Sequence, residues 1–275
     1  VLYDYQPSRK GSFAQNFLEG FRGLVQCDGY QGYNKLEDVI LVCCLAHARR
    51  KFFEAVPAAR RKRLKLLDIN SDEAIEDINL PDEEEAKQLL PAEIGLLYCN
   101  KLFYLERTLK DLNPEERKQQ RDVLEQPVWD QFWNWLDPLH PTGGSKLGKA
   151  VNYAQNHHDT LMNYLLDGRC EISNNRAERK AKSYAIGRKA FLFHTSETGA
   201  GASAVMYSIV ETAKANNLNI FQYLYTVLLY MPDYMNSSAG IEQLMPWSEF
   251  IKEQCSGLID VESNVPEKRI PLPHR

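Results

Sequence analysis

Two acids far apart in the sequence, Asp28 and Glu178, are the residues best suited to chemistry. Asp28 closes an apolar stretch and precedes Gly29 in QCDGY. An acid at the C-terminal end of a strand is a frequent place for a metal ligand in α/β sheets. A plain turn aspartate is the alternative, because Asp-Gly is also ordinary turn chemistry. Glu178 is the one acid of residues 172–189 (ISNNRAERKAKSYAIGRK), which also hold Arg176, Arg179, Lys180, Lys182, Arg188 and Lys189. A lone carboxylate on a basic helix suits a divalent metal that must meet phosphates. Its alternative is structural: Asn175 and Glu178 stand three apart, as in a capping box, and basic residues also line solvated faces. The chemistry that needs both acids is two-metal phosphoryl transfer, in which carboxylates from separate elements hold Mg²⁺ ions ~3.5–4 Å apart. Mg²⁺ keeps waters and phosphates in its shell, so a site with few acids suffices.

Bringing these acids together requires a fold that returns on itself. Residues 1–5 (VLYDY) read as a short strand, residues 12–20 as a short helix and residues 24–27 as a second strand. Residues 33–38 can make a helical turn, and residues 39–45 (VILVCCL) read as a strand buried on both faces. Residues 46–67 form one basic helix with a break at Pro57, followed by an acidic loop or exposed helix over 68–85. Helices follow over 91–112, 114–136 (interrupted at Pro127) and 146–166, with a hinge-like loop at 138–145. Trp129, Trp133 and Trp135 fit helix-packing core better than a base-stacking platform. Ser173, Asn174 and Asn175 are good caps for the Glu178 helix, and residues 204–215 and 220–231 read as two packed helices. The order implies an α-rich α/β fold, a small sheet interrupted by an all-helical insertion. We divide it into 1–50, the first part of the core; 51–167, the insertion; 168–234, the second part with the Glu-bearing helix; and 235–275, a tail.

With 275 residues, 44% hydrophobic and 25% charged, the chain is an ordinary globular protein of one or two domains. A net charge of −4 does not itself point to nucleic acid. The distribution does: residues 49–65 are strongly basic with Glu54 as their one acid, whereas residues 67–86 are acidic without a base. A pair of solvated helix faces is the alternative. Six cysteines without framework spacing, and no signal peptide, imply reduced thiols in a cytosol and exclude a secreted disulfide scaffold. The longest apolar run, residues 220–231, contains Gln222 and is too short to span a bilayer. Val1 is not a natural start, so a piece of a longer product is expected.

Four blocks taken together are specific: QCDGYQGYNKL, CCLAHARRKFFEA, EISNNRAERKAKSYAIGRKAFLF and the Tyr230-Met231-Pro232 segment. In this order they resemble the insertion-sequence-66 family of bacterial transposases over nearly the whole chain. The resemblance implies a ribonuclease-H-like core with an Asp-Asp-Glu triad and a helical insertion before the Glu. Asp28 matches the second Asp and Glu178 the Glu. It further implies Mg²⁺ or Mn²⁺, double-stranded DNA (element ends and target) as substrate, and a homo-oligomer that holds two ends together. The place of work is a bacterial cytoplasm, beside the nucleoid. The reaction is cleavage at element ends by metal-activated water, then joining of the freed 3′-hydroxyl to target.

The sequence departs from that pattern at the first Asp, which the family carries upstream of the VLYDYQPSR block. Asp4 is an acid on an expected strand, but it aligns with the third core strand. The chain alone is therefore expected to be a weak or inactive catalyst. Cys44 and His47 form a C-x-x-H pair that related transposases carry at this place. As a zinc site it is incomplete, with His157-His158 as the remaining source of ligands. Cys44 is expected in the core, and His47 near the active site against a phosphate or a carboxylate. Arg49, Arg50, Arg176, Arg179, Lys180, Arg188 and Lys189 are expected to contact phosphates without reading sequence. Two other functions fit: a non-catalytic DNA-binding or assembly module derived from a transposase, and a ribonuclease-H-like nuclease that cleaves without joining.

Overall fold

Helices dominate the computed structural model, which describes residues 1–63, 79–234 and 239–256. The end of the basic helix, most of the acidic run and the last part of the tail lie outside the described residues. The chain divides into two units, residues 9–178, and residues 1–8 together with those from Arg179 onward.

The larger unit opens with α1 (Gly11–Phe17), β1 (Gly23–Cys27), a 3-10 turn (Gln31–Lys35), β2 (Val39–Cys43) and α2 (Leu45–Ala55). The strands are parallel, in register from Gly23↔Val39 to Cys27↔Cys43. Among the described residues this pair is the whole sheet, so the fold is α-rich with a small parallel β element. β2 corrects the sequence reading in length and burial. It stops at Cys43, Ile40 is exposed, and within the strand only Val42 and Cys43 are buried. Cys44 instead precedes the first turn of α2, and its N–H still donates to the Cys27 carbonyl at 3.1 Å.

α2 ends at Ala55, and Val56 is extended ahead of Pro57, whose ring disfavours a helical residue before it. α3 (Ala58–Arg63) resumes beyond that break. α4 (Glu83–Gln88) is exposed and closed by a capping box between Asp82 and Glu85. Then come α5 (Pro91–Thr108), α6 (Pro114–Leu124), α7 (Gln126–Leu136), α8 (Lys146–Asn156), α9 (His158–Met162) and a 3-10 turn (Asn163–Leu166). α2 packs on α5 and α8. Gly95 of α5 permits that approach, because a Cβ there would stand 2.5 Å from the Phe52 ring. Trp129, Phe132 and Trp133 are buried with Phe52 in one apolar core, and Trp135 packs against it.

The return from the helical region is fixed by Arg121 of α6, which is fully buried. Its guanidinium pairs with Glu106 of α5 at 2.6 Å. It also donates to the carbonyls of Tyr164 (2.8 Å), Asp167 (2.9 Å) and Cys170 (2.7 Å). Gly168 lies so close to α6 that a Cβ would overlap the Pro114 carbonyl. The chain then passes the ends of both strands. Gln26 of β1 donates to the Glu171 carbonyl, and the Ile172 carbonyl accepts from Leu45 N–H at 3.1 Å. α10 (Asn175–Phe191) starts immediately beyond.

The smaller unit contains α10 from Arg179 onward, α11 (Glu197–Ala215), α12 (Ile220–Tyr230), a 3-10 turn (Ile241–Leu244) and α13 (Glu249–Cys255). α11 and α12 pack as a pair, and α13 packs on α12 around Tyr223, Tyr230, Leu244, Phe250 and Ile251. The described part of the expected tail, residues 239–256, therefore belongs to this core. Residues 1–5 are not a strand. Tyr3 N–H donates to Ser208 Oγ at 2.8 Å and Thr212 Oγ1 donates to the Val1 carbonyl at 3.0 Å, so hydroxyls on one face of α11 take the place of a neighbouring strand. No helix among the described residues is long and apolar enough to cross a membrane, and all six cysteines are free thiols.

Candidate active site

Asp28 stands one residue past β1, exposed, on a turn that its neighbours hold rigidly. Its Oδ1 accepts from Tyr30 N–H at 3.0 Å, and its carbonyl accepts from the Tyr153 hydroxyl at 3.3 Å. Gly29 has φ +79°, and a Cβ there would approach Tyr153 Oη to 2.9 Å and His157 Nε2 to 3.0 Å. Glycine is required on both counts: the left-handed backbone and the close cover from α8 and the residue after it. In the sequence His157 drew notice only as a source of zinc ligands and Tyr153 not at all; an i, i+4 spacing is what relates them.

Glu178 lies in the first turn of α10, where a negative charge is favoured by the helix dipole. Its N–H donates to the Asn174 carbonyl at 3.0 Å, so Asn174 is the residue that enters the helix. Asn175 is already helical, so a capping box on Asn174 would need its carboxylate at position 177, and Glu178 sits one residue beyond that. Its carboxylate faces α2 instead: Oε1 is 3.5 Å from His47 Nε2. Asn174 is itself buried, and its Oδ1 has no hydrogen-bond partner.

His47 stands beside Glu178. Burial lowers its pKa, Glu178 and Asp28 both oppose that shift, and Arg50 and Lys51 reinforce it. The net shift is downward, so the imidazole is neutral at neutral pH. Its Nδ1 is buried without a partner. Cys44 is fully buried, and burial raises its thiol pKa. It is buried, but ahead of α2 and not in the strand core expected of it. His157 Nδ1 lies 3.6 Å from Cys43 Sγ.

Carboxylate oxygens are the donor type a hard divalent cation takes. No group of three or more His, Cys, Asp or Glu among the described residues is arranged to hold a metal.

The basic residues separate into three groups. Arg50 and Arg176 are exposed within the larger unit, Arg176 with a loose 3.6 Å pair to Glu171. Arg179, Arg188 and Lys189 are exposed on α10 in the smaller unit. Arg49 corrects the sequence reading. It is only 3% exposed, donates from Nε to Asn100 Oδ1 and lies over the Phe103 ring, so it holds α2 to α5 and does not face phosphates. Lys180 is half-buried and paired with Glu211 at 3.2 Å. Asp4 belongs to the smaller unit, and its carboxylate accepts from Gln6.

Residues 1–202 match the Transposase IS66 family, and residues 208–247 match the IS66 C-terminal element. Three curated relatives, all from Sinorhizobium fredii, are similar over 90% of the chain: uncharacterized protein y4hP (28% identical), y4jD (29%) and y4qI (26%). The chain covers 43%, 45% and 43% of their respective lengths, so it spans less than half of each. No solved structure matches the chain.

Proposed function

We propose, from the premise that the chain belongs to the IS66 family of transposases, that Asp28 and Glu178 are the second and third acids of an Asp-Asp-Glu site for DNA cleavage and joining. The observation that carries this reading is the place of each acid in the same unit: Asp28 just past the end of β1, and Glu178 in the first turn of α10 with its carboxylate 3.5 Å from His47. An acid at the end of a parallel strand, met by a returning helix, also supports a ribonuclease-H-like core. Residues 1–50 and 168–234 are its two parts in this proposal, with 51–167 as the insertion and 235–275 as the C-terminal addition.

Mg²⁺ or Mn²⁺ would be held by the carboxylates of Asp28 and Glu178, and when bound supplies an activated water and neutralises charge on the scissile phosphate. The chain's own residues have distinct tasks. Gly29, Tyr153 and His157 hold the Asp28 turn. His47 fixes the direction of the Glu178 carboxylate without competing for its charge, because the imidazole is neutral. Arg50 and Arg176 are placed for phosphates beside the acids, and Arg179, Arg188 and Lys189 extend the basic surface of α10. DNA ends and target are the substrates, and a homo-oligomer holds two ends.

The expected result with supercoiled plasmid and Mn²⁺ is nicking that Asp28→Asn or Glu178→Gln removes. Nicking indifferent to both substitutions would remove the site. The two-carboxylate donor set also favours a second reading, a DNA-binding or assembly module without catalysis. DNA binding that is indifferent to Mn²⁺ and to both substitutions distinguishes it.

A further inference from the structure

A pocket of about 210 Å³ opens beside Asp28, within the larger unit, and its lining combines opposite charges with an aromatic face. Asp28, Arg9, Lys10, Tyr30 and Tyr33 are among its lining residues. Tyr30 is 42% exposed. Its position is nonetheless fixed. The hydroxyl donates to the Arg9 carbonyl at 2.6 Å, the N–H donates to Asp28, and Tyr33 meets the ring edge-on at 6.0 Å. The Arg9 guanidinium stands 5.7 Å from the ring centroid. Gly32 completes the arrangement, because a Cβ there would overlap the Tyr30 ring. A held, solvent-exposed ring that shares a pocket with two basic residues and a carboxylate has the chemistry of a nucleotide site.

We propose that this pocket receives one unpaired nucleotide of a DNA strand, with its base on the Tyr30 ring and its phosphate against Arg9 and Lys10. The proposal rests on the reading of Asp28 as an acid of the cleavage site, and it names the form of substrate that site takes: a strand opened next to the scissile phosphate. Base-aromatic stacking needs a free π-face, which a paired base inside a duplex does not offer. Arg9 and Lys10 offset the repulsion between that phosphate and Asp28.

The test is fluorescence anisotropy with a labelled short oligothymidylate and a fully paired duplex of equal length, without metal, using the whole chain. Tyr30→Ala is expected to weaken oligothymidylate binding by about tenfold and to leave duplex binding nearly unchanged. Tyr30→Phe keeps the ring and is expected to bind within about twofold of the parent. Tyr30→Leu keeps bulk without a π-face, provides the second variant if alanine disturbs folding, and is expected to show the alanine loss. Arg9→Ala is expected to flatten the salt dependence on oligothymidylate. Oligothymidylate binding unchanged in Tyr30→Ala and Tyr30→Leu overturns the pocket and leaves the cleavage site standing, as does an equal loss on paired duplex. Failure of the parent chain to bind either DNA overturns both.

Discussion

Burial drives the His47 imidazole toward its neutral form, and Glu178 at 3.5 Å opposes that without reversing it. On the proposed function Glu178 holds a metal, and a neutral ring beside it then orients its carboxylate, as outer groups around metal sites do. His47→Ala is therefore expected to reduce metal-dependent nicking by about 10–100-fold while leaving oligonucleotide binding unchanged; His47→Gln, which keeps a donor, loses less. A parallel loss of DNA binding would instead make His47 a phosphate contact. At this scale the setting of Asp28 at the end of a strand and of Glu178 early in a basic helix was legible from the sequence. Arg49 was misread although its place was visible: Leu45, Ala48, Arg49 and Phe52 keep i, i+3, i+4, i+7 spacing, the buried stripe of α2. Counting Arg49 within a basic run concealed that stripe. Tyr153 and His157 left no comparable mark, because their importance comes from packing against a glycine distant in the chain.

The elements that position Glu178 are α6 and the loop at 164–172, joined by Arg121 and by the contact of Gly168 with Pro114. A methyl group at position 168 meets backbone, which cannot turn aside as a side chain does. Gly168→Ala is expected to lower unfolding stability by about 1–3 kcal/mol, read from the urea midpoint, and to weaken Mn²⁺ binding by displacing α10. A stable variant with unaltered Mn²⁺ binding would show that this loop does not position the acid. Helix periodicity and the proline break at Pro57 were readable in the sequence. The strand at residues 1–5 was not correctly readable: VLYDY has strand composition, but the hydroxyls of Ser208 and Thr212 satisfy its backbone. Nothing local in the sequence signals such a pairing.

Across the molecule, each unit carries its own apolar core, and the larger one encloses an ionisable cluster. Burial, then Glu106, pushes the Glu125 carboxyl well above the ordinary carboxylate range, while the Tyr164 hydroxyl donates to it. Arg121 and Arg117 outweigh burial at Glu106 and hold that carboxyl below its ordinary value. The signs are opposite. Glu125 binds its proton more tightly folded than unfolded, so its contribution is complete below the unfolded pKa. It is lost as pH rises through the folded one. Glu106 contributes above its unfolded pKa and loses that contribution as pH falls through its depressed folded value. Glu125→Gln is expected to flatten the decline of the urea midpoint from weakly acidic to alkaline pH and to stabilise the chain at the alkaline end. An unchanged decline would place its origin elsewhere. Six scattered cysteines and a helix-rich pattern told of a reduced, α-rich protein, but this buried cluster depends on how α5, α6 and α7 meet.

The most direct measurement of the central claim is a Mn²⁺ titration followed by electron paramagnetic resonance, with duplex DNA present to complete the ion's shell. Asp28→Asn and Glu178→Gln are each expected to weaken binding by about tenfold or more, and their combination to abolish the site. Mn²⁺ affinity equal in the parent chain and in both variants would contradict a shared ion.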